Sequence, residues 1–269
     1  MELVIRLVAF VVGFAIVVLT LRSAVRTFVL PRSAVDQISR AVFLTMRRIY
    51  NLFTARATTY SERDQTMAFY APVSLLVLLA VWLALILLGY CGIYRALGVE
   101  SVEESFMLSG SSLLTLGFAQ PRATAVTTAV FTEATIGLIM VALLIAYLPT
   151  MYAAFSKRET SVTMLEVRAG TPPSAIEMIL RYNRIHGLTR LYAMWATWEV
   201  WFAEVEESHT SLAALPFCRS PRAENSWVTA AGAVLDGAAL VVSCVEAYEE
   251  PQAALCMRAG YLALRHIAD

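Results

Sequence analysis

Three long stretches without charged residues dominate the hydrophobic pattern of the chain. Residues 7–21 are uncharged, residues 65–94 form an uncharged run of 30, and residues 134–156 form another of 23. A helix that crosses a bilayer needs about 20 mostly apolar residues. The pattern therefore predicts three membrane-spanning helices. The first stretch has a cleaved signal peptide as its alternative, but Glu2 in the short n-region and the lack of a small-residue cleavage site favour an anchor.

Residues 22–66, between the first two stretches, are polar and have a different periodicity. Apolar side chains recur at helical spacing from Val35 to Phe53, which predicts an amphipathic helix. Arginines lie off this apolar stripe. Such a helix is expected either on the anionic inner leaflet of the membrane or packed against neighbouring helices, and both interpretations fit the pattern.

The distribution of arginine predicts the orientation in the membrane. Segment 22–64 holds eight arginines against three carboxylates, whereas segment 95–132 holds two arginines against three glutamates. Loops rich in positive charge stay in the cytoplasm. We therefore expect the N-terminus outside, segment 22–64 inside, segment 95–132 outside and the C-terminus in the cytoplasm.

The composition agrees with a membrane protein and excludes several other classes. The chain is 58% hydrophobic and 16% charged, whereas a soluble domain is about 45–50% apolar and about 25% charged. Basic and acidic residues number 21 each, so the positive field expected of a nucleic-acid-binding protein is missing. Four scattered cysteines predict neither a disulfide framework nor a zinc site. No catalytic motif is present, so we expect no enzyme. The arginine-rich, lysine-poor composition fits a bacterial chain, so we expect a multi-pass protein of the bacterial plasma membrane.

A short apolar segment lies between the second and third uncharged stretches. Ser101 and Glu104 form a capping box, which predicts a helix over 101–114 that is too short to cross a bilayer. An irregular strip containing Gly117 follows and ends at a Gln-Pro pair. Irregular backbone at membrane depth is tolerated only where it is buried in protein or lines a water-filled path. The pattern therefore predicts a re-entrant loop.

The sequence of this strip, Thr-Leu-Gly-Phe from Thr115 to Phe118, resembles the Thr-Val-Gly-Tyr-Gly filter of the potassium-channel superfamily. Ser112 stands three residues before the threonine, where the family has threonine or serine. The resemblance covers about residues 70–156. It implies an all-α membrane protein with an outer helix, a re-entrant pore helix, a filter loop and an inner helix, in which filter carbonyls replace the hydration shell of the ion. The K⁺ ligands that it implies are the backbone carbonyls of Thr115, Leu116, Gly117 and Phe118 and the Thr115 hydroxyl.

The strip departs from the family pattern after Phe118. Ala119 stands at the position of the second glycine and Gln120 at that of the following aspartate. An alanine held at a left-handed φ costs roughly 1–2 kcal/mol, and this affects strict selectivity for K⁺ over Na⁺ more than cation conduction. The alternative to a potassium channel is a non-conducting or non-selective channel-fold protein whose helical domain is a sensor or a partner-binding module.

One chain supplies one re-entrant loop, whereas a closed pore of this type needs four. The resemblance therefore implies a homotetramer with cyclic symmetry, placed in the lipid bilayer and conducting K⁺ without a cofactor. We expect no nucleic-acid partner, and no motif identifies a regulatory ligand.

Three further residues have candidate roles around the pore. Glu133 is expected either to accept hydrogen bonds behind the filter or to be a solvated residue that the helix dipole favours. Gly137 is either a hinge of the inner helix or a close helix contact. Pro149 is expected to bend that helix near its cytoplasmic end. The donor expected for Glu133 behind the filter is Ser111, Ser112 or Thr115.

The C-terminal third is predicted to be helical, because no alternation with a period of two occurs in it. Trp195, Trp198 and Trp201 recur at three-residue spacing, which is typical of a core or an interfacial belt, with ligand stacking as the alternative. Its helices are predicted at about 173–186, 188–209, 224–248 and 251–267. The predicted domains are a transmembrane helix (1–21), a cytoplasmic amphipathic linker (22–66), a pore module (67–156) and a cytoplasmic helical domain (157–269).

Overall fold

A computed structural model describes most of the chain as helix. The described residues are 1–30, 36–55, 59–121, 123–185, 187–212, 214–220, 224, 226–245 and 251–268. Within these ranges every regular element is helical and no strand occurs. Four helices are long and apolar enough to cross a membrane. These findings agree with the predicted all-α membrane class.

Ten α-helices lie within the described ranges. The helices are α1 (Glu2–Phe28), α2 (Gln37–Thr54), α3 (Tyr60–Ala68), α4 (Tyr70–Ala96), α5 (Val102–Leu113), α6 (Thr124–Ala169), α7 (Ala175–Ile185), α8 (Leu191–Ser211), α9 (Trp227–Cys244) and α10 (Pro251–Ala268). The candidate spans are Glu2–Phe28, Glu62–Ala96, Thr124–Ala169 and Trp227–Cys244. The fourth of these, α9, is not among the three spans that the uncharged stretches predict, because Asp236 interrupts its apolar sequence.

The chain forms two compact units. The first comprises Met1–Arg48 and Pro72–Pro149, and the second comprises Ile49–Ala71 and Thr150–Asp269. The segment 22–66, predicted as one linker, is therefore divided between the units. Helices α2, α4 and α6 each contribute residues to both.

In the first unit, α1 and α4 approach closely where glycines face each other. A Cβ atom at Gly13 would lie 2.3 Å from the carbonyl oxygen of Gly89, and one at Gly92 would lie 2.9 Å from that of Ala9. Lipid gives no hydrophobic driving force between helices, so small residues that let backbones approach are the usual means of packing there. The contact between α1 and α4 therefore depends on the absence of side chains.

Polar side chains connect the end of α1 to α2 and α4. The buried Ser23 accepts a hydrogen bond from Trp82 Nε1 at 2.9 Å and donates one to Asp36. The hydroxyls of Thr27 and Ser39 lie 2.7 Å apart. These hydrogen bonds fix the start of the amphipathic helix α2 against α1.

The apolar stripe predicted along the amphipathic helix is buried only in part. Val42 and Met46 are buried, whereas Phe53 is 70% exposed. Val35, where the predicted stripe begins, lies outside the described residues. Packing against protein therefore accounts for the middle of the stripe, and the exposed end remains available to a membrane surface.

The second unit has its own helical core, in which the tryptophan stripe of α8 is central. Trp195, Trp198 and Trp201 are all at least 95% buried. A Cβ atom at Gly260 of α10 would lie 2.9 Å from the ring of Phe202, so α10 crosses α8 closely. The buried face of α9 that joins this core consists of Ala230, Ala231, Ala233, Val234, Gly237, Ala238 and Val241.

The four helices predicted for the C-terminal third correspond to α7, α8, α9 and α10. The predicted start of the second is a 3₁₀ turn, Leu188–Arg190, that precedes α8. Residues 186, 225 and 246–248 of the predicted helices lie outside the described residues.

A buried arginine and histidine lie together in the second unit. Arg158 is 2% exposed and His209 is 5% exposed, and Arg158 Nη1 lies 3.1 Å from His209 Nε2. His209 Nδ1 lies 2.8 Å from the carbonyl oxygen of Val205. A neutral imidazole that donates from Nδ1 and accepts at Nε2 satisfies both contacts. Burial, and then the positive charge of Arg158, lowers the pKa of His209 to about 4.

We expect acid to destabilise the second unit through His209. An unfolded histidine has a pKa of about 6.5, so between pH about 6.5 and pH about 4 the unfolded chain binds more protons than the folded chain. Stability that is fully present above this window is lost as the pH falls through it, by at most about 3 kcal/mol. The thermal midpoint should fall over this window, less steeply in His209→Gln. His266→Gln, which changes a half-exposed histidine, is the control, and an unaltered pH profile in His209→Gln contradicts the assignment.

We expect Gly13→Ala to lower the stability of the purified protein by about 1–3 kcal/mol, because the new methyl group meets the α4 backbone, which cannot move aside as a flexible side chain does. Thermal unfolding in detergent measures the change. Gly232→Ala is the matched control, since Gly232 is helical and a Cβ atom there meets nothing within 4 Å. Equal midpoints for the two variants would show that the close approach of α1 and α4 is not required.

Candidate functional site

The short helix between the second and third apolar stretches begins and ends near the predicted positions. Ser101 is the N-cap of α5, and its hydroxyl accepts a hydrogen bond from the amide of Glu104 at 2.9 Å. The helix has 12 residues, which corresponds to about 18 Å and is shorter than the hydrocarbon core of about 30 Å. Non-helical backbone follows from Leu114 to Pro121.

The amide groups at the start of this non-helical strip turn back onto the end of α5. The amides of Leu116 and Gly117 both donate to the carbonyl of Ser111, at 2.8 and 3.2 Å. That of Thr115 donates to the carbonyl of Ser112 at 3.0 Å. In contrast, no described residue donates a hydrogen bond to the carbonyls of Thr115 to Phe118. Four successive backbone oxygens therefore remain available as ligands.

The backbone of the strip alternates in handedness. Thr115 has φ +57° and Gly117 has φ +72°, while Leu116 between them is not left-handed. Glycine adopts this conformation freely, but a β-branched residue there is an outlier that costs roughly 1–2 kcal/mol. The left-handed conformation of Thr115 could not be predicted from its residue type, because threonine disfavours positive φ. Ala119 is not at a positive φ, so the strain considered for it from the family pattern does not arise.

Ser111 and Ser112, two of the predicted supporting residues, hold the strip and α6. Ser111 is 1% exposed, and its hydroxyl accepts a hydrogen bond from the amide of Ala119 at 3.0 Å. Ser111 therefore holds three amides of the strip through its carbonyl and its hydroxyl together. The hydroxyl of Ser112 donates to the carbonyl of Val130 in α6 at 2.8 Å.

Glu133 lies directly behind α5 and is completely buried. It accepts hydrogen bonds from the hydroxyl of Tyr94 in α4, at 2.6 Å, and from that of Ser109 in α5. Helix α6 begins at Thr124, so Glu133 is an interior residue of this helix rather than a solvated residue at its start. One carboxylate thus connects three helices of the first unit.

The hydroxyls around Glu133 match the sequence expectation in part. Ser111, Ser112 or Thr115 is expected to donate to it. Ser109 and Tyr94 donate hydrogen bonds to it, and Ser112 also interacts with its carboxylate. Ser109 lies within two or three residues of the expected serines, and the sequence cannot resolve which face of a short serine-rich helix meets α6. The sequence does not indicate that Tyr94 contacts Glu133, because Tyr94 stands at the end of an uncharged apolar stretch.

Gly137 and Pro149 both lie inside α6. A Cβ atom at Gly137 would lie 2.3 Å from the carbonyl oxygen of Leu113, so the structure shows the close helix contact that was one of its two interpretations. Helix α6 continues through Pro149. The bend predicted at this residue stays a prediction. Pro149 is the last residue of the first compact unit.

A single chain leaves the apolar side chains of the strip uncovered. Leu114 is 54% exposed, Leu116 is 63% exposed and Phe118 is 56% exposed. On α6, Phe131 and Leu138 are also largely exposed. Such surface fits lipid or other protein chains rather than water.

The chemistry available at this site is that of backbone oxygen. Oxygen atoms are the ligands that hard cations prefer, and uncharged carbonyls that replace a hydration shell suit monovalent cations. Throughout the described residues no group of three or more histidine, cysteine, aspartate or glutamate side chains could hold a metal ion. The strip from Thr115 to Phe118 is therefore the candidate site.

Comparisons of the chain with known protein families, with curated proteins and with solved structures give no match.

Proposed function

We propose that this chain is one subunit of a tetrameric cation channel that conducts potassium through the strip Thr115–Phe118. Helix α4 would be the outer helix, α5 the pore helix and α6 the inner helix. The observation that carries the proposal is the row of four backbone carbonyls that accept no hydrogen bond from the described residues, while three amides of the same strip are bonded to α5.

The local backbone supports this assignment. Left-handed φ at Thr115 and Gly117, with Leu116 between them outside that region, is the alternation that directs successive carbonyls toward one axis. A strained threonine fits a functional strip, since strained residues cluster at ligand sites. The C-terminal end of α5 precedes the strip directly, so its partial negative charge favours a cation nearby.

The exposure of Leu116 and Phe118 supports a tetramer. Four chains around a cyclic axis would cover these side chains and would bring four copies of each carbonyl to the axis. Sixteen carbonyl oxygens in four rings would then replace water around the ion, as in the potassium-channel superfamily.

For the topology we propose three spans, α1, α4 and α6, in the bacterial plasma membrane, with the N-terminus outside and the second unit in the cytoplasm. Helix α9 is apolar enough to be a fourth span. We assign it to the cytoplasmic unit because its small residues are buried within the core around Trp195 and Phe202.

Ala119 favours a second candidate function. The family places a glycine there, and in this chain Ala119 is not left-handed, so the outermost carbonyl ring would differ from that of a selective filter. A non-selective pore, or a non-conducting protein whose helical unit is a sensor or partner-binding module, fits this departure.

Fluxes of K⁺ and Na⁺ into liposomes that contain the purified protein separate these functions. We expect K⁺ flux with at least tenfold less Na⁺ flux. Equal fluxes would favour a non-selective pore. Absence of both would contradict conduction and favour the sensor.

We expect Gly117→Ala to abolish K⁺ flux while the oligomer remains assembled, because alanine at φ +72° strains the strip by roughly 1–2 kcal/mol and moves the carbonyls. Gly98→Ala is the matched control. Gly98 also has a positive φ, +100°, with open space around it, and it lies before α5. Unchanged flux and selectivity in Gly117→Ala, measured in the same liposomes, would show that the strip is not the filter.

We expect Glu133 to support the strip, so that its removal reduces both stability and K⁺ selectivity. Glu133→Ala leaves the Tyr94 hydroxyl without its acceptor, at a cost of about 1–3 kcal/mol, and leaves the Ser109 hydroxyl with only the Leu87 carbonyl at 3.3 Å. Tyr94→Phe removes one of the two bonds and should have a smaller effect. Thermal unfolding and the ratio of K⁺ to Na⁺ flux measure the two consequences. A normal flux ratio in a destabilised but assembled Glu133→Ala protein would restrict the role of Glu133 to folding.

A further inference from the structure

The second unit contains a pocket of about 360 Å³ between α6, α7 and α8. This volume is within the range of small-molecule sites, about 300–1,000 Å³. Its walls belong entirely to the second unit, from Thr160 in α6 to Trp201 in α8. The candidate ion site therefore takes no part in it.

The charges in this pocket all have one sign. Arg168 and Arg190 line it, and among the described residues no aspartate or glutamate does. The Arg168 guanidinium donates to the hydroxyl of Tyr182 at 3.1 Å and to the carbonyl of Met164 at 2.8 Å, but makes no ion pair with a described carboxylate. The side chain of Arg190 makes no hydrogen bond or ion pair within the described part of the chain. Two guanidinium groups are thus left with positive charge that nothing in the pocket neutralises.

The wall of the pocket that α8 provides is apolar. Trp198 and Trp201 line the pocket, with ring centroids 4.5 Å apart, and Met194 adds a flexible thioether. Aromatic and methionine side chains accept flat or flexible apolar groups. The first turns of α8 also form this wall, so the positive end of the helix dipole adds to the field of the arginines.

We infer that this pocket binds an amphipathic organic anion, with its carboxylate or phosphate between Arg168 and Arg190 and its apolar body against Trp198 and Trp201. Arginine is the side chain best suited to planar anionic groups, through paired hydrogen bonds. The hydroxyls of Thr160, Ser161 and Thr197, which also line the pocket, supply further polar contacts at its edge.

A regulatory consequence follows because α6 supplies five of the lining residues. The same helix is the proposed pore-lining helix, so a bound anion would change the flux through the channel. This consequence rests on the proposed function, whereas the binding itself does not.

The test is calorimetric titration of the full-length protein in detergent with 2-naphthoate, decanoate, inorganic phosphate and the uncharged 2-naphthamide. We expect 2-naphthoate or decanoate to bind, and 2-naphthamide and inorganic phosphate to bind at least about tenfold more weakly, because each lacks either the charge or the apolar body. Arg190→Gln should weaken binding of the preferred anion by about tenfold or more. Arg190 is the right position because its side chain holds no structural hydrogen bond within the described residues.

Arg184→Gln is the control, because it removes the same charge from an exposed position of α7 that does not line the pocket. Failure of both 2-naphthoate and decanoate to bind would overturn the inference. Equal binding of 2-naphthoate and 2-naphthamide, or equal weakening in Arg184→Gln and Arg190→Gln, would also overturn it. Flux measured with and without the bound anion tests the regulatory consequence separately, and unchanged flux at saturation would overturn that consequence alone.

Discussion

The structure around the candidate ion site depends on one constraint. In the proposed channel the strip after α5 lies at membrane depth, where polar backbone must find partners. The strip after α5 meets this constraint on one side only. The amides of Thr115, Leu116 and Gly117 are bonded to the carbonyls of Ser111 and Ser112, whereas the carbonyls from Thr115 to Phe118 accept no hydrogen bond from the described residues. In the proposed channel, these carbonyl oxygens would coordinate cations instead.

A second layer of buried polar groups holds this arrangement in place. Glu133 joins α4, α5 and α6 through Tyr94 and Ser109, and the lack of a side chain at Gly137 brings α6 against the end of α5. A buried carboxylate is costly unless it is hydrogen-bonded. The hydrogen bonds from Tyr94 and Ser109 offset part of that cost.

The sequence predicted the features that depend on composition and periodicity. The apolar stretches that became α1, α4 and α6 and the cap at Ser101 follow from residue type alone. The hydrogen bonds of Tyr94 and Ser109 to Glu133 could not be predicted, because they depend on which faces of the helices meet. The left-handed φ of Thr115 could not be predicted either, because threonine disfavours it. Helix α9 is predicted from the sequence as part of the cytoplasmic domain, yet it is also apolar enough to be a candidate span, because a helix of small apolar residues fits either a bilayer or a tightly packed core. The division of segment 22–66 between two compact units likewise depends on tertiary contacts.

The most direct test of the account is the reversal potential of the purified protein in a planar bilayer, with equal concentrations of K⁺ on one side and Na⁺ on the other. A pore lined by the carbonyls of Thr115 to Phe118 is predicted to reverse far from zero, in the direction that shows higher permeability for K⁺. A reversal potential of zero, or the absence of any cation current, would contradict the assignment of this strip as a potassium filter.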